Sequence, residues 1–274
     1  ELAVGERTWR RDVPCGGGAG GDARLHAAKR DRTGIDLNTV TLPPTRELGY
    51  AVQAEALRLA GDPIVGFKIG SSSRVSQEKF GTNEPWYGGV PAPVLVPGGS
   101  TVKRAPHATN VEGEFALRLG KDLPARDTEY TADEVRAAVD AVAGAIEVVG
   151  RHFEGGPSGE GMLGLVIADH GVCVSLVLGD AKPFGPETDL RDHAVTMRIN
   201  GEVVGEGVGS MALGDPVNSL TWLVNSLSKA GRGMRAGEWV TTGTCSGIVA
   251  VAPGDIAVAD FGDLGNVEVT FAAE

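Results

Sequence analysis

Glu112 and Glu114 stand two residues apart in the stretch VEGEFALRLGKDL, residues 111–123. In an extended chain, side chains at i and i+2 share a face about 7 Å apart at the backbone, so both carboxylates can reach one hard cation. The alternation puts Val111, Gly113, Phe115, Leu117 and Leu119 on one face and Glu112, Glu114, Ala116 and Arg118 on the other, which predicts a half-buried strand. Taken alone, such a pair is more often a solvated strand face. Glu147 adds a third carboxylate, in AIEVVG at 145–150, a run that otherwise reads as buried. An unmatched charge there costs several kcal/mol, so it must be exposed, protonated or paired with a cation. If the three glutamates converge, their repulsion calls for a divalent ion, and oxygen ligands without His or Cys favour Mg²⁺ or Mn²⁺ over zinc.

Lys68, in GFKIG at 66–70, lies opposite Val65, Phe67 and Ile69, with glycines on its own face. Glycine inside a strand often marks close approach of backbone or ligand, so Lys68 is a candidate to bind a substrate carboxylate or relay a proton; the alternative is an exposed lysine on an edge strand. TTGTCSG at 241–247 offers hydroxyls and backbone N–H groups that can hold a carboxylate, although most such clusters are plain loops.

The elements that must position these residues follow from periodicity. A helix is expected from Pro43 to Gly61, a strand over 64–70, and a long Gly/Pro-rich loop with one short extended piece from Gly81 onward. TADEVRAAVDAVAGA carries a capping box at Thr131 and Glu134 and predicts a helix that feeds directly into the 145–150 strand. The last third alternates short strands with turns, including an Asn200-Gly201 hairpin, around one further helix in PVNSLTWLVNSLSKAG. Strands outnumber helices without regular βαβ alternation, which argues for an α+β protein on a rolled sheet. Residues 1–45 form an N-terminal segment, glycine-rich at 16–21 and expected to be partly flexible; 46–274 form the main domain.

A formal charge of −11 over 274 residues excludes the basic footprint of a nucleic-acid binder. No apolar run approaches the roughly 18 residues of a membrane span, and no secretory pattern opens the chain. Three cysteines without metal-ligand spacing argue against a disulfide framework and for a cytoplasmic protein with reduced thiols.

These pieces together resemble the 2-keto-4-pentenoate hydratase and 4-oxalocrotonate decarboxylase group of the fumarylacetoacetate hydrolase superfamily. The resemblance rests on YAVQ at 50–53, GFKIGSSS at 66–73, EGEFALRLGKDL at 112–123, IEVV at 146–149, NGEVVGEG at 200–207, LGDPVNSLTWLVNSL at 213–227 and the closing AGEWVTTGT…PGD…FGDLGNVEVTF. It implies a rolled mixed β-sheet with flanking helices and a Mg²⁺ or Mn²⁺ held by Glu112, Glu114 and Glu147. It further implies substrate contacts by Lys68, Ser72, Trp86, Thr242 and Thr244, a small 2-oxo acid as partner, and a homo-oligomer. The expected activity is that of a lyase working through a metal-stabilised enolate, with acylpyruvate-type C–C hydrolysis and metal-stabilised binding without turnover as alternatives. Three departures fall beside the expected pocket. Hydratases of the group usually read Pro-Asp-Phe-Gly, with the Asp proposed as acid/base, where this chain has Pro85-Trp86-Tyr87-Gly88; Gly150-Arg151-His152 replaces a DSR, and Asp169-His170-Gly171-Val172 replaces a DNAS. His170, taken as the second catalytic candidate, and His152 are possible replacement bases, because imidazole titrates near neutral pH; the alternative for each is an ordinary hydrogen-bonded histidine.

Overall fold

The computed structural model describes residues 21–31, 33–39, 43, 45–154 and 159–273, so the expectation for residues 1–20 lies outside the described residues. Helix α1, Gly21–Asp31, comes from a stretch without a sustained apolar period, yet it buries Leu25 and Ala28 and packs on the next helix. That helix, α2, runs Arg46–Ala60 between chemically specified ends. The Thr45 hydroxyl accepts a hydrogen bond from the Leu48 N–H, and Gly61 closes the last turn at φ 72°, a conformation that glycine adopts without a Cβ penalty.

Strand β1, Ile64–Gly70, follows as expected, and a short helix α3, Arg74–Lys79, leads into the Gly/Pro-rich region. That region is more regular than its composition suggests. It contains strands β2, Trp86–Pro91, and β3, Leu95–Pro97, and β2 pairs antiparallel with β1 so that Trp86 faces Gly70 and Gly88 faces Lys68. The glycines serve close packing here: a Cβ on Gly70 would lie 2.2 Å from the Trp86 ring.

After β4, Ser100–Val102, come the two long central strands, β5, His107–Leu119, and β6, Val139–Arg151. Between them the capping box of Thr131 and Glu134 is present, but its helix α4 spans only Ala132–Arg136. The expected longer helix is corrected to strand from Val139 because β6 is buried on both faces, with Val139, Val142, Ala143, Ile146 and Val148 all in the interior. A doubly buried strand is apolar at every position, so residues at helical spacing are apolar in it too. The same reason corrects the half-buried expectation for β5, where Glu114 and Ala116 are as inaccessible as Phe115 and Leu117.

Helix α5, Leu163–Ala168, precedes strands β7, Cys173–Leu178, β8, Ala194–Ile199, and β9, Glu202–Val208. The β8–β9 hairpin turns through Asn200 and Gly201 at φ 53° and 91°, both positive as a primed two-residue turn requires. Helix α6, Pro216–Lys229, and strands β10, Trp239–Thr244, β11, Ile256–Asp260, and β12, Asn266–Phe271, complete the fold. The larger sheet has the order β2-β1-β10-β5-β6-β7-β3 and the smaller β9-β8-β11-β12-β4. Pairing is mostly antiparallel, with parallel contacts at β1–β10, β3–β7 and β4–β12. The sheets share a core that includes the fully buried Phe115, Leu117, Ile146, Met197, Phe261 and Phe271, each worth roughly 1.5–3 kcal/mol of burial. The rolled mixed sheet with flanking helices is the architecture expected from the sequence. No helix among the described residues is long and apolar enough to cross a membrane.

Candidate metal centre and its lysine

The antiparallel register of β5 and β6 sets Glu112 directly opposite Glu147, with Glu114 one pleat further along opposite Ala145. Directly paired residues project to the same face, so the register alone gathers three carboxylates. One oxygen from each lies within 4.8 Å of the others, and Glu114 and Glu147 are completely buried. Burial, and after it the charge of Glu147, pushes the Glu112 carboxyl up to about 7. Glu114 is raised well above the usual range by burial and by both neighbours, while Glu147 is raised by burial against the opposing pull of Lys68. Among the described residues, Glu114 Oε1 and Glu147 Oε2 have no hydrogen-bond partner. Three converging oxygen donors, two of them with an unsatisfied atom, fit a hard divalent cation that neutralises and coordinates them.

Lys68 is 2 % exposed, which removes the edge-strand alternative: β1 is an interior strand between β2 and β10. Its Nζ lies 3.0 Å from Glu147 Oε1, donates to the Gly171 carbonyl oxygen at 3.1 Å, and sits 4.5 Å from the centre of the Trp86 ring. Burial disfavours the charged ammonium, but Glu147, Glu112 and Glu114 together outweigh it and leave the Lys68 pKa raised. Trp86 is fixed in turn by its indole N–H, which donates to Ser71 Oγ at 3.0 Å, and by the room that Gly70 leaves.

On β10 the hydroxyls divide between two faces. Thr241 pairs with both Lys68 and Ala116, placing it on the glutamate face, and its buried Oγ1 lacks a hydrogen-bond partner among the described residues. Thr242 instead donates to the Phe115 carbonyl at 3.0 Å. A register shift then brings Thr244 opposite Glu114, with its hydroxyl donating to Gly247 O at 3.2 Å. Within the shift Gly243 adopts φ 112° and donates its N–H to Glu114 Oε2 at 2.9 Å. A Cβ there would fall 1.9 Å from Ser72 Oγ, so the buried Ser72 packs directly on the glycine. The sequence marks the 241–247 turn, but it points to Thr242 and Thr244 rather than to Thr241 and Gly243. The alternation Trp239-Thr241 would have pointed to the first; the second depends on a register shift that no local pattern reports.

The segment after α5 carries a left-handed turn in which His170, Gly171 and Val172 have φ 53°, 68° and 57°. For His and β-branched Val this conformation costs on the order of 1–2 kcal/mol each. The turn brings the Gly171 carbonyl to Lys68. His170 lines a cavity of about 430 Å³ together with Lys29, Arg30, Arg104, His152 and Cys173, and none of the three glutamates lines it. His152 faces a fully buried carboxylate: its Nδ1 is 3.2 Å from Asp169 Oδ1.

A lysine bound to one of three convergent glutamates, at the centre of a rolled mixed sheet, invites comparison with known proteins. Residues 44–272 match the fumarylacetoacetate (FAA) hydrolase C-terminal family. The chain belongs to this family. As a fumarylacetoacetate hydrolase family member it is 34% identical over 216 residues to 2-keto-4-pentenoate hydratase of Paraburkholderia xenovorans strain LB400, covering 77% of each chain. It is 32% identical over 227 residues to 4-oxalocrotonate decarboxylase of Pseudomonas putida, covering 81% of this chain and 84% of that protein. The solved structure of 4-oxalocrotonate decarboxylase from Pseudomonas putida G7, complexed with magnesium and adipate, superposes with a TM-score of 0.79 at 27% identity, over 91% of this chain and 95% of that one.

Proposed function

We propose that this family member is a divalent-metal-dependent lyase of the hydratase/decarboxylase type, acting on a small 2-oxo acid or 2-hydroxydienoate through an enolate. The observation that carries this reading is the buried cluster of Glu112, Glu114 and Glu147, within 4.8 Å of one another and ion-paired to Lys68. Mg²⁺ or Mn²⁺ is the expected ion. Bound there, it supplies a Lewis acid for the negative charge that develops on the 2-oxygen. Lys68 adds a second positive charge beside that oxygen and holds a proton at Nζ, oriented by Glu147 and Gly171. Trp86 covers the ammonium and keeps water from it. Ser72, Thr242 and Thr244 remain the expected substrate contacts, with Thr242 contributing through the turn rather than through its tied hydroxyl. To these we add Thr241, whose buried hydroxyl is free to accept or donate. His170 stays a candidate base from the cavity side.

Trp86 occupies the position where hydratases of the group usually carry an acid/base carboxylate, so steps that need only the enolate, proton exchange or loss of a distal carboxylate, are favoured over addition of water. C–C hydrolysis draws less support: fumarylpyruvate hydrolase from Pseudomonas aeruginosa shares the fold at 18% identity and a TM-score of 0.58. The buried thiols of Cys173 and Cys245 suit a cytoplasmic enzyme, and a homo-oligomer is expected, which light scattering of the purified chain tests. The decisive assay follows 2-hydroxypenta-2,4-dienoate and 2-oxohex-3-enedioate by NMR in D₂O with Mg²⁺. Deuterium entering beside the 2-oxo group, or release of CO₂, abolished by EDTA, is the expected result. The absence of any metal-dependent exchange or turnover overturns the reading, and cleavage of an acylpyruvate into two acids replaces it with the hydrolase.

A further inference from the structure

A continuous series of polar contacts runs from α1 to the glutamate cluster. Lys29 Nζ lies 2.8 Å from Asp169 Oδ1 and donates to the Asp169 carbonyl oxygen at 3.2 Å. The same carbonyl accepts from the Val172 N–H at 2.8 Å, the bond that closes the left-handed turn over His170, Gly171 and Val172. The other carboxylate oxygen of Asp169 accepts from the His152 N–H at 3.3 Å. At the far side of the turn, the Gly171 carbonyl receives Lys68, which pairs with Glu147.

A turn of this kind is not self-supporting, because L-residues disfavour the left-handed region and a run of three needs outside restraint. Lys29 supplies two restraints at once. Its charge neutralises a carboxylate with no solvent exposure, and its N–H groups reach the carbonyl that closes the turn. Among the described residues, the other side chain that Asp169 faces as an ion-pair partner is the His152 imidazole, 3.2 Å away. We infer that Lys29 is a positioning residue, whose ion pair with Asp169 holds the left-handed turn that aims the Gly171 carbonyl at Lys68. Lys29 precedes the 44–272 family match, so a helix outside the matched region steadies a group inside the site. The effect on turnover rests on Lys68 acting in the proposed lyase reaction; the effect on the turn does not.

The test compares Lys29→Met, which keeps the aliphatic stem, with Lys29→Arg, which keeps the charge, in the full chain at saturating Mg²⁺. Hydrogen–deuterium exchange is read on peptides covering residues 169–173 and on the β5–β6 strands, alongside steady-state kinetics and Mg²⁺ titration. Lys29→Met is expected to speed exchange in the turn at least tenfold while β5 and β6 stay protected. It should lower kcat at least tenfold with KM within about threefold and Mg²⁺ affinity unchanged, and Lys29→Arg should restore most of the loss. Wild-type exchange and wild-type kcat in Lys29→Met, or a lowered melting temperature with kcat retained, overturn the inference. If the wild-type chain turns over neither 2-oxo acid, the lyase reading fails by itself and exchange alone decides: a turn still protected in Lys29→Met overturns the clamp, and a deprotected turn supports it. Should Lys29→Met not accumulate as folded protein, Asp169→Asn, nearly isosteric and uncharged, is judged by the same readouts.

Discussion

Lys68 and Glu147 each need the other, because either alone would be an unpaired charge in the interior. Among the described residues Glu114 has no such partner, and it retains one unsatisfied oxygen. Glu114→Gln is therefore expected to weaken Mg²⁺ binding at least about 100-fold while leaving the metal-free fold intact or more stable, since the amide oxygen can still accept the Gly243 N–H and the substitution removes a buried acid whose second oxygen is unsatisfied until a cation arrives. Isothermal titration and thermal melts in EDTA check both halves; unchanged Mg²⁺ affinity would remove Glu114 from the proposed ligand set. Lys68→Met should lower kcat/KM at least tenfold, about 1.4 kcal/mol of transition-state stabilisation. Lys68→Arg should restore it only in part, because the planar guanidinium is a poor proton donor and is larger than the ammonium slot between Trp86 and Gly171. Full activity in both variants would show that Lys68 has no part in the reaction.

At the scale of the elements, β10 offers a sharper probe than its threonines. Gly243 combines φ 112°, contact with Ser72 and an N–H bond to Glu114. Gly243→Ala should cost more than about 2 kcal/mol of stability in urea unfolding, and should weaken Mg²⁺ binding as the N–H leaves Glu114. Loss of stability with wild-type metal affinity would separate the turn from the centre. Trp86→Ala, which empties the space that Gly70 reserves, should cost about 3–5 kcal/mol in the same measurement. Elements with chemically marked ends were legible in sequence: α2 between Thr45 and Gly61, and the hairpin at Asn200-Gly201. The central strands were legible only in part, β5 as a half-buried strand and β6 over 145–150, because β6 is buried on both faces and loses the alternation by which a strand is recognised, so its first half carries the helical spacing that follows the capping box.

For the whole molecule, the cluster ties stability to pH. Glu112 is raised from 4.5 to about 7 by burial and then by Glu147, so the folded metal-free protein binds a proton that the unfolded chain releases over that interval. The stability this group contributes is complete below about 4.5 and is lost as pH rises through 7. Asp169 acts in the opposite sense and lower down: burial would raise it, but Lys29 and His152 hold it at about 2, so its contribution is present above 3.8 and lost only as pH falls towards 2. Metal-free protein should therefore have less help from the glutamate cluster at pH 8 than at pH 5.5, and the rise in melting temperature on adding Mg²⁺ should be greater at pH 8, where fewer protons must be displaced. Melts at both pH values, with EDTA and with Mg²⁺, check this; an equal Mg²⁺ effect at the two values would contradict it.

What sequence alone determined is whatever local chemistry encodes. The E-x-E spacing, the lone Glu147 in an apolar run and the glycine-flanked Lys68 mark the residues, and the ordered motifs identify the family and its rolled mixed sheet. Tertiary structure decided which of these residues meet. Glu112 faces Glu147 because β5 and β6 pair in one register, and a shift by one residue would turn the pair to opposite faces. It also brought the Gly243 N–H to Glu114 through the register shift on β10, set the Gly171 carbonyl against Lys68, and carried Lys29 across the chain to Asp169. Those contacts join residues far apart in sequence, and their geometry depends on pairing register and on backbone conformations held by the surrounding fold, so no local pattern announces them.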